Sequence, residues 1–242
     1  MDLNHRLNQK APFRYLKKKV YALLNVLTFK STRAYFHRLR LGYQLVTLTD
    51  SYLVESGFVQ STLSNSLTDR DGNHIPWMNY SFLEFLQPRL NKGQVVFEYG
   101  SGASTLFFSR HTHRIISVET NKSWYEQVYG QLTSAYPNAC IHLEELNENY
   151  HKAIEKHMEP KSCDIIIIDG RQRVASAMYA SDYLSDQGVI IIDDSHREQY
   201  QPAIVHYLNK GFKELTIKGI KPTKLHSAQT TILYRDNNCL GI

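Results

Sequence analysis

At 242 residues and 42% apolar composition, the chain can hold one full α/β domain with an appended segment, and a sizeable core is possible. No apolar run is long enough to cross a bilayer, and the N-terminus lacks the short apolar core of a secretory signal, so we expect a cytoplasmic location. Three cysteines lie far apart without a C-x-x-C pair, which argues against a disulfide framework or a structural zinc site.

The net charge of +5 is concentrated in the first forty residues. They carry ten Lys or Arg and one acid, Asp2, so the rest of the chain is acidic on balance. The basic character therefore belongs to an N-terminal arm rather than to the remaining domain. An acidic domain attracts phosphate poorly, which argues against nucleic acid as its substrate.

The arm has helical periodicity over residues 12–28. Its apolar face is formed by Phe13, Leu16, Val20, Leu23, Leu24 and Leu27. A basic amphipathic helix of this kind can pack on its own domain, pack on a second subunit in a homodimer, or lie on an anionic membrane surface. Apolar patterning continues through residues 34–55, and two helices that cover each other need no lipid, which favours packing.

A polar stretch over residues 56–76 predicts a loop. We therefore divide the chain into a basic helical arm (1–56), a linker (57–80) and an α/β domain (81–242). Within the linker, Trp77 and Tyr80 are expected either to cover a ligand or to anchor the arm. Residues 81–90 predict a helix that leads into the first strand.

The central motif of the domain lies at residues 95–120. Its parts are a strand at 95–97, Glu98 with a glycine turn at 100–102, a helix at 103–110, and a strand at 115–118 closed by Glu119. Glycines at such a turn let a ligand approach the backbone closely, and an acid about 20 residues later can accept both hydroxyls of a ribose. The motif predicts a nucleoside site, although Thr105 stands where a dinucleotide fingerprint carries a third small residue.

The segment Glu98-Tyr99-Gly100-Ser101-Gly102 resembles motif I of class I S-adenosylmethionine-dependent methyltransferases, with Glu119 as their second-strand acid. The resemblance covers about residues 75–235 and leaves the arm outside. It implies the fold and the cofactor of these enzymes and says little about the substrate.

Strands and helices continue to alternate after Glu119. Predicted helices lie at 122–136, 150–157, 173–185 and 198–209, and predicted strands at 139–143, 163–168, 189–192, 212–218 and 230–234. This alternation predicts a doubly wound, mostly parallel sheet of seven strands. The resemblance implies a Rossmann-like α/β fold in which the last strand is antiparallel.

In the methyltransferase interpretation, the glycine turn admits the methionine part of S-adenosylmethionine, Glu98 helps to hold its ammonium group, and Glu119 takes the ribose hydroxyls. Residues near Glu144 and Glu145 would border the adenine. The predicted cofactor-binding residues are Glu98, Gly100, Ser101, Gly102, Ser104, Thr105, Glu119, Asp169 and Gly170.

Carboxylates close four of the predicted strands, at Glu98, Glu119, Asp169 and the pair Asp193 and Asp194. Ligands of open α/β sheets bind beyond these strand ends, so we expect the acids to converge on one crevice. Catechol-type and macrocin-type O-methyltransferases place similar acids on Mg²⁺, and carboxylates suit a hard divalent ion. Asp169, Asp193 and Asp194 are therefore candidate Mg²⁺ ligands, unless Arg171 and Arg173 pair with them instead.

Methyl transfer to an oxygen atom also requires a proton acceptor. His196, which directly follows the fifth predicted strand, and Asp169 are the candidate catalytic residues. We expect O-methylation of a small molecule, sugar or glycolipid precursor. Two alternatives stay open, namely an aminopropyltransferase of the spermidine-synthase type and a non-catalytic module of this fold that serves assembly or membrane docking.

Overall fold

The computed structural model describes residues 30–132 and 136–242. Contacts divide the chain into two compact units, residues 1–54 and residues 55–242, and each is described by itself. The helix predicted at 12–28 lies outside the described residues.

The described part of the first unit is dominated by helix α1 (Lys30–Thr47). Large apolar side chains of this helix are exposed, among them Tyr35, Phe36, Leu39, Leu41 and Tyr43. Arg38 and Arg40 are exposed on the same helix. None of the helices in the described ranges is long and apolar enough to cross a membrane.

The second unit contains one seven-stranded sheet in the order β3-β2-β1-β4-β5-β7-β6. The strands are β1 (Val95–Tyr99), β2 (Arg114–Glu119), β3 (Ala139–Leu143), β4 (Cys163–Ile168), β5 (Leu184–Asp193), β6 (Lys213–Lys221) and β7 (Lys224–Tyr234). The five strands β1 to β5 pair in parallel, and β7 runs antiparallel to both of its neighbours. The predicted Rossmann-like fold class, with its last strand antiparallel, is confirmed.

The remaining helices flank this sheet or precede it. They are α2 (Tyr52–Glu55), α3 (Phe58–Ser64), α4 (Tyr80–Leu86), α5 (Ala103–His111), α6 (Lys122–Leu132), α7 (Arg173–Ala180) and α8 (Gln201–Asn209). Short 3₁₀ segments occur at Gln87–Arg89, Tyr150–Lys156, Ser181–Tyr183 and Glu198–Tyr200. The segment predicted as a helix at 150–157 is thus a 3₁₀ helix.

The central strands are buried on both faces, which explains their continuous apolar runs. Ile165 to Ile168 of β4 and Ile190 to Ile192 of β5 have no exposed surface. The core also encloses Tyr207, whose hydroxyl donates to the carbonyl of Ala177 at 2.6 Å. A rigid centre of this kind holds the ends of neighbouring strands in register.

The polar stretch predicted as a loop at 56–76 contains helix α3. Its serines and threonines satisfy the local backbone instead of facing solvent throughout. Ser61 is fully buried, donates its hydroxyl to the carbonyl of Thr68 at 2.8 Å, and accepts the amide of Thr68 at 3.2 Å. Side chains that are typical of loops thus hydrogen-bond to the backbone and connect α3 to the segment that follows it.

The helix predicted at 173–185 ends earlier, at Ala180. Strand β5 already begins at Leu184, which is 2% exposed and pairs with Cys163 of β4. Pairing with a central strand outweighs the helical pattern of the sequence at this point, because it buries Leu184 and satisfies its backbone.

Candidate functional site

The turn after β1 is shaped by Gly100. This residue has a φ of +100°, a conformation that side chains disfavour, and its amide donates to the carbonyl of Val118 at 2.9 Å. A Cβ atom at this position would lie 3.2 Å from the carbonyl carbon of Asp169. The turns after β1 and β4 therefore approach as closely as a glycine allows.

Beneath this turn, Glu98 accepts three hydroxyl hydrogen bonds. Oε1 accepts from Ser104, and Oε2 accepts from Thr105 at 2.7 Å and from Ser117 at 2.6 Å. Glu98 is 1% exposed, and burial raises the pKa of its carboxyl although the three hydroxyls oppose this shift. The carboxyl ties the first turn of α5 to β2.

Glu119 is fixed by its own backbone. Oε1 accepts the amides of Thr120 at 2.8 Å and Asn121 at 2.9 Å, and Oε2 accepts the hydroxyl of Ser101 at 3.0 Å. The last of these bonds links the glycine turn to the end of β2. The carboxylate is therefore oriented without help from a ligand.

A cavity of about 230 Å³ lies at these strand ends. The predicted residues that line it are Glu98, Gly100, Ser101, Ser104, Glu119, Asp169 and Gly170. It is also lined by four residues outside the predicted set, Thr120, Asn121, Tyr150 and Arg171. Thr120 and Asn121 directly follow a strand-end acid, so the rule that found Glu119 could have found them.

Other predicted cofactor residues lie just outside the cavity. Thr105 is fully buried, and its hydroxyl oxygen accepts the amide of Gly102 at 3.2 Å. Gly102 precedes α5 and faces Trp124, whose ring lies 3.5 Å from the position of a Cβ atom. Trp124 also donates its indole N–H to the carbonyl of Ser101 at 2.8 Å. The sequence contains no signal for this bond, since Trp124 lies on a different element and is 41% exposed.

Glu144 follows β3 and was expected to border an adenine. Its carboxylate is paired with Lys156 and with His157, the latter at 3.0 Å, which lowers the pKa of Glu144 although burial opposes this shift. It does not line the cavity. Its amide donates to the carbonyl of Glu119 at 2.8 Å, so the chain of Glu144 still runs beside the end of β2.

Asp169, at the end of β4, is held by an arginine. Arg173 contacts its Oδ1 at 2.7 Å and its carbonyl oxygen at 3.0 Å, and also donates to the carbonyl of Asp193 at 2.7 Å. Burial and then the Asp193 carboxylate raise the pKa of Asp169, while Arg173 acts in the opposite direction. Arg173 thereby links the ends of β4 and β5.

Asp193 and Asp194, at the end of β5, share the ammonium of Lys221. Nζ lies 2.6 Å from Oδ2 of Asp193 and 2.7 Å from Oδ1 of Asp194. The second oxygen of Asp193 accepts the hydroxyl of Thr230 at 2.8 Å, and that of Asp194 pairs with Arg197 at 2.6 Å. Neither acid lines the cavity.

These contacts do not fit the divalent ion that was expected from the strand-end acids of the sequence. Each of the three predicted ligands, Asp169, Asp193 and Asp194, already pairs with an internal cation. In the described parts of the chain, no three His, Cys, Asp or Glu side chains are grouped so that they could hold a metal ion.

His196, the other catalytic candidate, is exposed on the turn after β5. It does not line the cavity, and the described residues make no hydrogen bond or ion pair with it. Of the two catalytic candidates, Asp169 therefore lines the cavity and His196 does not.

Comparison with known proteins shows a similarity of fold. No protein-family model matches the chain, and no curated protein matches it. An O-methyltransferase from Bacillus cereus, solved in complex with SAH, is 14% identical, with a TM-score of 0.54 over 80% of this chain and 96% of that chain.

Two further solved structures are less similar. An O-methyltransferase from Thermotoga maritima is 14% identical, with a TM-score of 0.49 over 64% of this chain and 63% of that chain. A precorrin-6y C5,15-methyltransferase from Geobacter metallireducens is 17% identical, with a TM-score of 0.48 over 64% and 86%. The likeness to the Bacillus cereus protein and the strand order together show that the second unit has the fold of class I methyltransferases.

Proposed function

We infer that this chain is an S-adenosylmethionine-dependent methyltransferase that acts on an oxygen atom of a small molecule, sugar or glycolipid precursor. One observation carries the proposal. The glycine turn after β1 and the fixed carboxylate of Glu119 line the same cavity, at the strand ends where open α/β sheets bind ligands.

The cavity suits a nucleoside with a charged tail. Gly100 and Gly170 leave the backbone bare where the tail would lie, and Glu119 Oε2 meets only the Ser101 hydroxyl, which a ribose hydroxyl can replace as donor. When bound, the cofactor supplies a methyl group on a sulfonium, and its transfer is an in-line displacement. The chain's own contribution is to align the acceptor and exclude water.

Glu98 has a positioning role in this proposal. Because both of its oxygens accept hydroxyl hydrogen bonds, it holds Ser104 and Ser117 together and so shapes the turn above it. The expected contact with the cofactor's ammonium is therefore assigned to the turn rather than to Glu98 alone.

Asp169 is the better placed proton acceptor. It lines the cavity, and its Oδ2 has no hydrogen bond among the described residues, while Oδ1 is held by Arg173. Burial and the neighbouring Asp193 raise the pKa of Asp169, which makes its carboxylate a stronger base. His196 could serve only if the acceptor extends beyond the cavity.

The two alternatives are weaker. A polyamine carries several positive charges, and Arg173 and Lys221 already place positive charge beside Asp169, Asp193 and Asp194. A non-catalytic module has no physical need for a fixed carboxylate and a bare glycine turn in one cavity. Binding of the cofactor separates a module from an enzyme, and preference for its carboxylated or decarboxylated form separates the two enzymes.

Calorimetric titration with S-adenosylhomocysteine tests the proposal. We expect micromolar binding by the wild-type protein and a loss of at least about tenfold, or about 1.4 kcal/mol, in Glu119→Ala. Glu126→Ala is the matched control, because Glu126 is exposed on α6 and does not line the cavity. Absence of binding by folded wild-type protein would overturn the proposal, and binding of only the decarboxylated form would favour the aminopropyltransferase.

A further inference from the structure

Two adjacent carboxylates at the end of a buried strand need positive charge beside them. Asp193 is 1% exposed and Asp194 is 9% exposed. Ions withdrawn from water in this way are retained only when they are paired and hydrogen-bonded. In many proteins a divalent cation fulfils this need.

In this chain the ammonium of Lys221 supplies the positive charge beside Asp193 and Asp194. Nζ bridges the two carboxylates at 2.6 and 2.7 Å, and the lysine side chain is only 7% exposed. The amino group is therefore held between two acids and largely removed from water.

The remaining oxygens are also occupied. Thr230 donates to Oδ1 of Asp193, and Arg197 pairs with Oδ2 of Asp194. Two acidic side chains therefore face two basic side chains. A divalent ion takes six or more oxygen ligands and would find none of these four free.

The backbone aims Lys221 at this position. The pairing of β6 with β7 is irregular between Ile220 and Lys221, and such a bulge re-aims the side chain that follows it. The ring of Trp77 covers the ammonium at 5.5 Å, and its indole N–H donates to the carbonyl of Pro222 at 2.9 Å. Trp77 therefore packs over the ion pairs that Lys221 makes with Asp193 and Asp194.

We propose that the ammonium of Lys221 occupies the position of a divalent cation between Asp193 and Asp194, and that the strand-end cluster of this chain works without a metal. Lys221 is a positioning residue in this scheme, because it holds the end of β5 and does not line the cavity. Because the proposal concerns metal binding, its test does not depend on whether the protein transfers methyl groups.

The wild-type protein decides the first half of this inference. Titration with MnCl₂, followed by electron paramagnetic resonance, and with MgCl₂, followed by calorimetry, should detect no site with a Kd below about 1 mM. Binding of S-adenosylhomocysteine should be equal in EDTA and in MgCl₂. A wild-type metal site that disappears in Asp194→Asn would overturn the inference.

The variant Lys221→Met decides the second half. It removes the ammonium and leaves both carboxylates, so we expect it to bind Mn²⁺ at least about tenfold more tightly than the wild type and to gain thermal stability from Mn²⁺. Lys218→Met is the control, since Lys218 is exposed on the same strand. If folded Lys221→Met gains no Mn²⁺ affinity, the lysine does not stand in a cation's place. If that variant does not fold, Lys221→Ala with MnCl₂ present during refolding decides instead, and failure of Mn²⁺ to restore its fold overturns the inference.

Discussion

Gly170 lies directly against Gly100, across the ends of β4 and β1. A Cβ atom on Gly170 would lie 2.9 Å from the amide nitrogen of Gly100 and 2.8 Å from the hydroxyl of Tyr150. Both distances are shorter than ordinary carbon contacts. The two strand ends thus form one tightly packed wall of the cavity.

Substitution of Gly170 by alanine should therefore destabilise the fold. We expect Gly170→Ala to lower the free energy of unfolding by about 1–3 kcal/mol, because the added methyl group overpacks a backbone contact. Urea unfolding measures the change. Gly130→Ala is the control, since Gly130 is exposed on α6 with no atom within 4 Å of its Cβ position, and it should gain up to about 1 kcal/mol of helix propensity. Equal stability of the two variants would show that the backbone around Gly170 moves to accommodate the added methyl group.

The hydroxyls around Glu98 should behave as one coupled unit. Ser117 is fully buried and donates to Glu98 at 2.6 Å. Ser117→Ala should lower the free energy of unfolding by about 1 kcal/mol in the wild type and by less in a Glu98→Met background, where only the 3.1 Å contact between Ser117 and the Thr105 hydroxyl remains.

A double-mutant cycle by urea unfolding measures this coupling. We expect a coupling free energy of about 0.5–1 kcal/mol between Glu98 and Ser117. Ser123→Ala, an exposed serine on α6, is the control and should show none. Additive effects of Glu98→Met and Ser117→Ala would mean that Ser117 is held by Thr105 rather than by Glu98.

The sequence predicts the sheet well where apolar runs are bounded by polar residues. Strand β3 at 139–143 and β4 at 163–168 have the predicted bounds. Strand β5 begins five residues before the predicted Val189, because Leu184 pairs with Cys163 of β4 and the polar residues 185–187 form an irregular stretch between that pair and the pair of Ile165 with Val189.

The candidate site also contains residues that the sequence predicts and residues that it does not predict. Glu98, Gly100 and Glu119 are recognisable because they occupy fixed places around a strand-turn-helix unit, and all three line the cavity. Lys221 gave no sign of its role, since an isolated lysine near the end of a strand is ordinarily exposed. Its burial depends on an irregularity of the ladder and on a tryptophan 144 positions away in the chain, which only the folded structure brings together.

The Lys221 cluster should make stability depend on pH at the acid end. Burial opposes ionisation of Asp194, but Lys221 and Arg197 outweigh it and lower the pKa of Asp194 below its ordinary value. An acid with a lowered folded pKa contributes stability above its unfolded pKa, about 3.9, and loses it as the pH falls through the folded pKa. The raised pKa of Lys221 contributes stability that is fully present below its unfolded pKa, about 10.4, and is lost only as the pH rises through the folded pKa.

Urea unfolding of the wild type and Asp194→Asn from pH 7 to pH 2.5 tests this dependence. We expect the wild type to be more stable at pH 7 and the difference to shrink below about pH 4, where Asp194 is protonated first in the unfolded chain, and to disappear below the lowered folded pKa of Asp194. Asp71→Asn, at an exposed loop acid, is the control and should show a small difference at every pH. A constant difference for Asp194→Asn would place its contribution in packing instead of charge.

The first unit should bind anionic membranes through its basic helix. Residues 1–54 contain ten Lys or Arg and two acids, and α1 exposes Tyr35, Phe36 and Tyr43 beside Arg38 and Arg40. Apolar side chains and cations on one helix match the chemistry of a lipid headgroup layer, in which each basic residue contributes about 1 kcal/mol. We therefore expect the full chain to float with vesicles that contain phosphatidylserine and not with neutral vesicles.

Charge reversal at α1 makes this prediction specific. Arg38→Glu combined with Arg40→Glu should weaken vesicle binding by more than about tenfold, because each reversal replaces attraction by repulsion. Lys122→Glu combined with Lys218→Glu changes the net charge equally at exposed positions of the second unit and should have little effect. If the α1 variant binds vesicles normally but changes from dimer to monomer in sedimentation, the helix contacts a second copy of the chain, because its exposed apolar residues must then be covered by protein rather than by lipid.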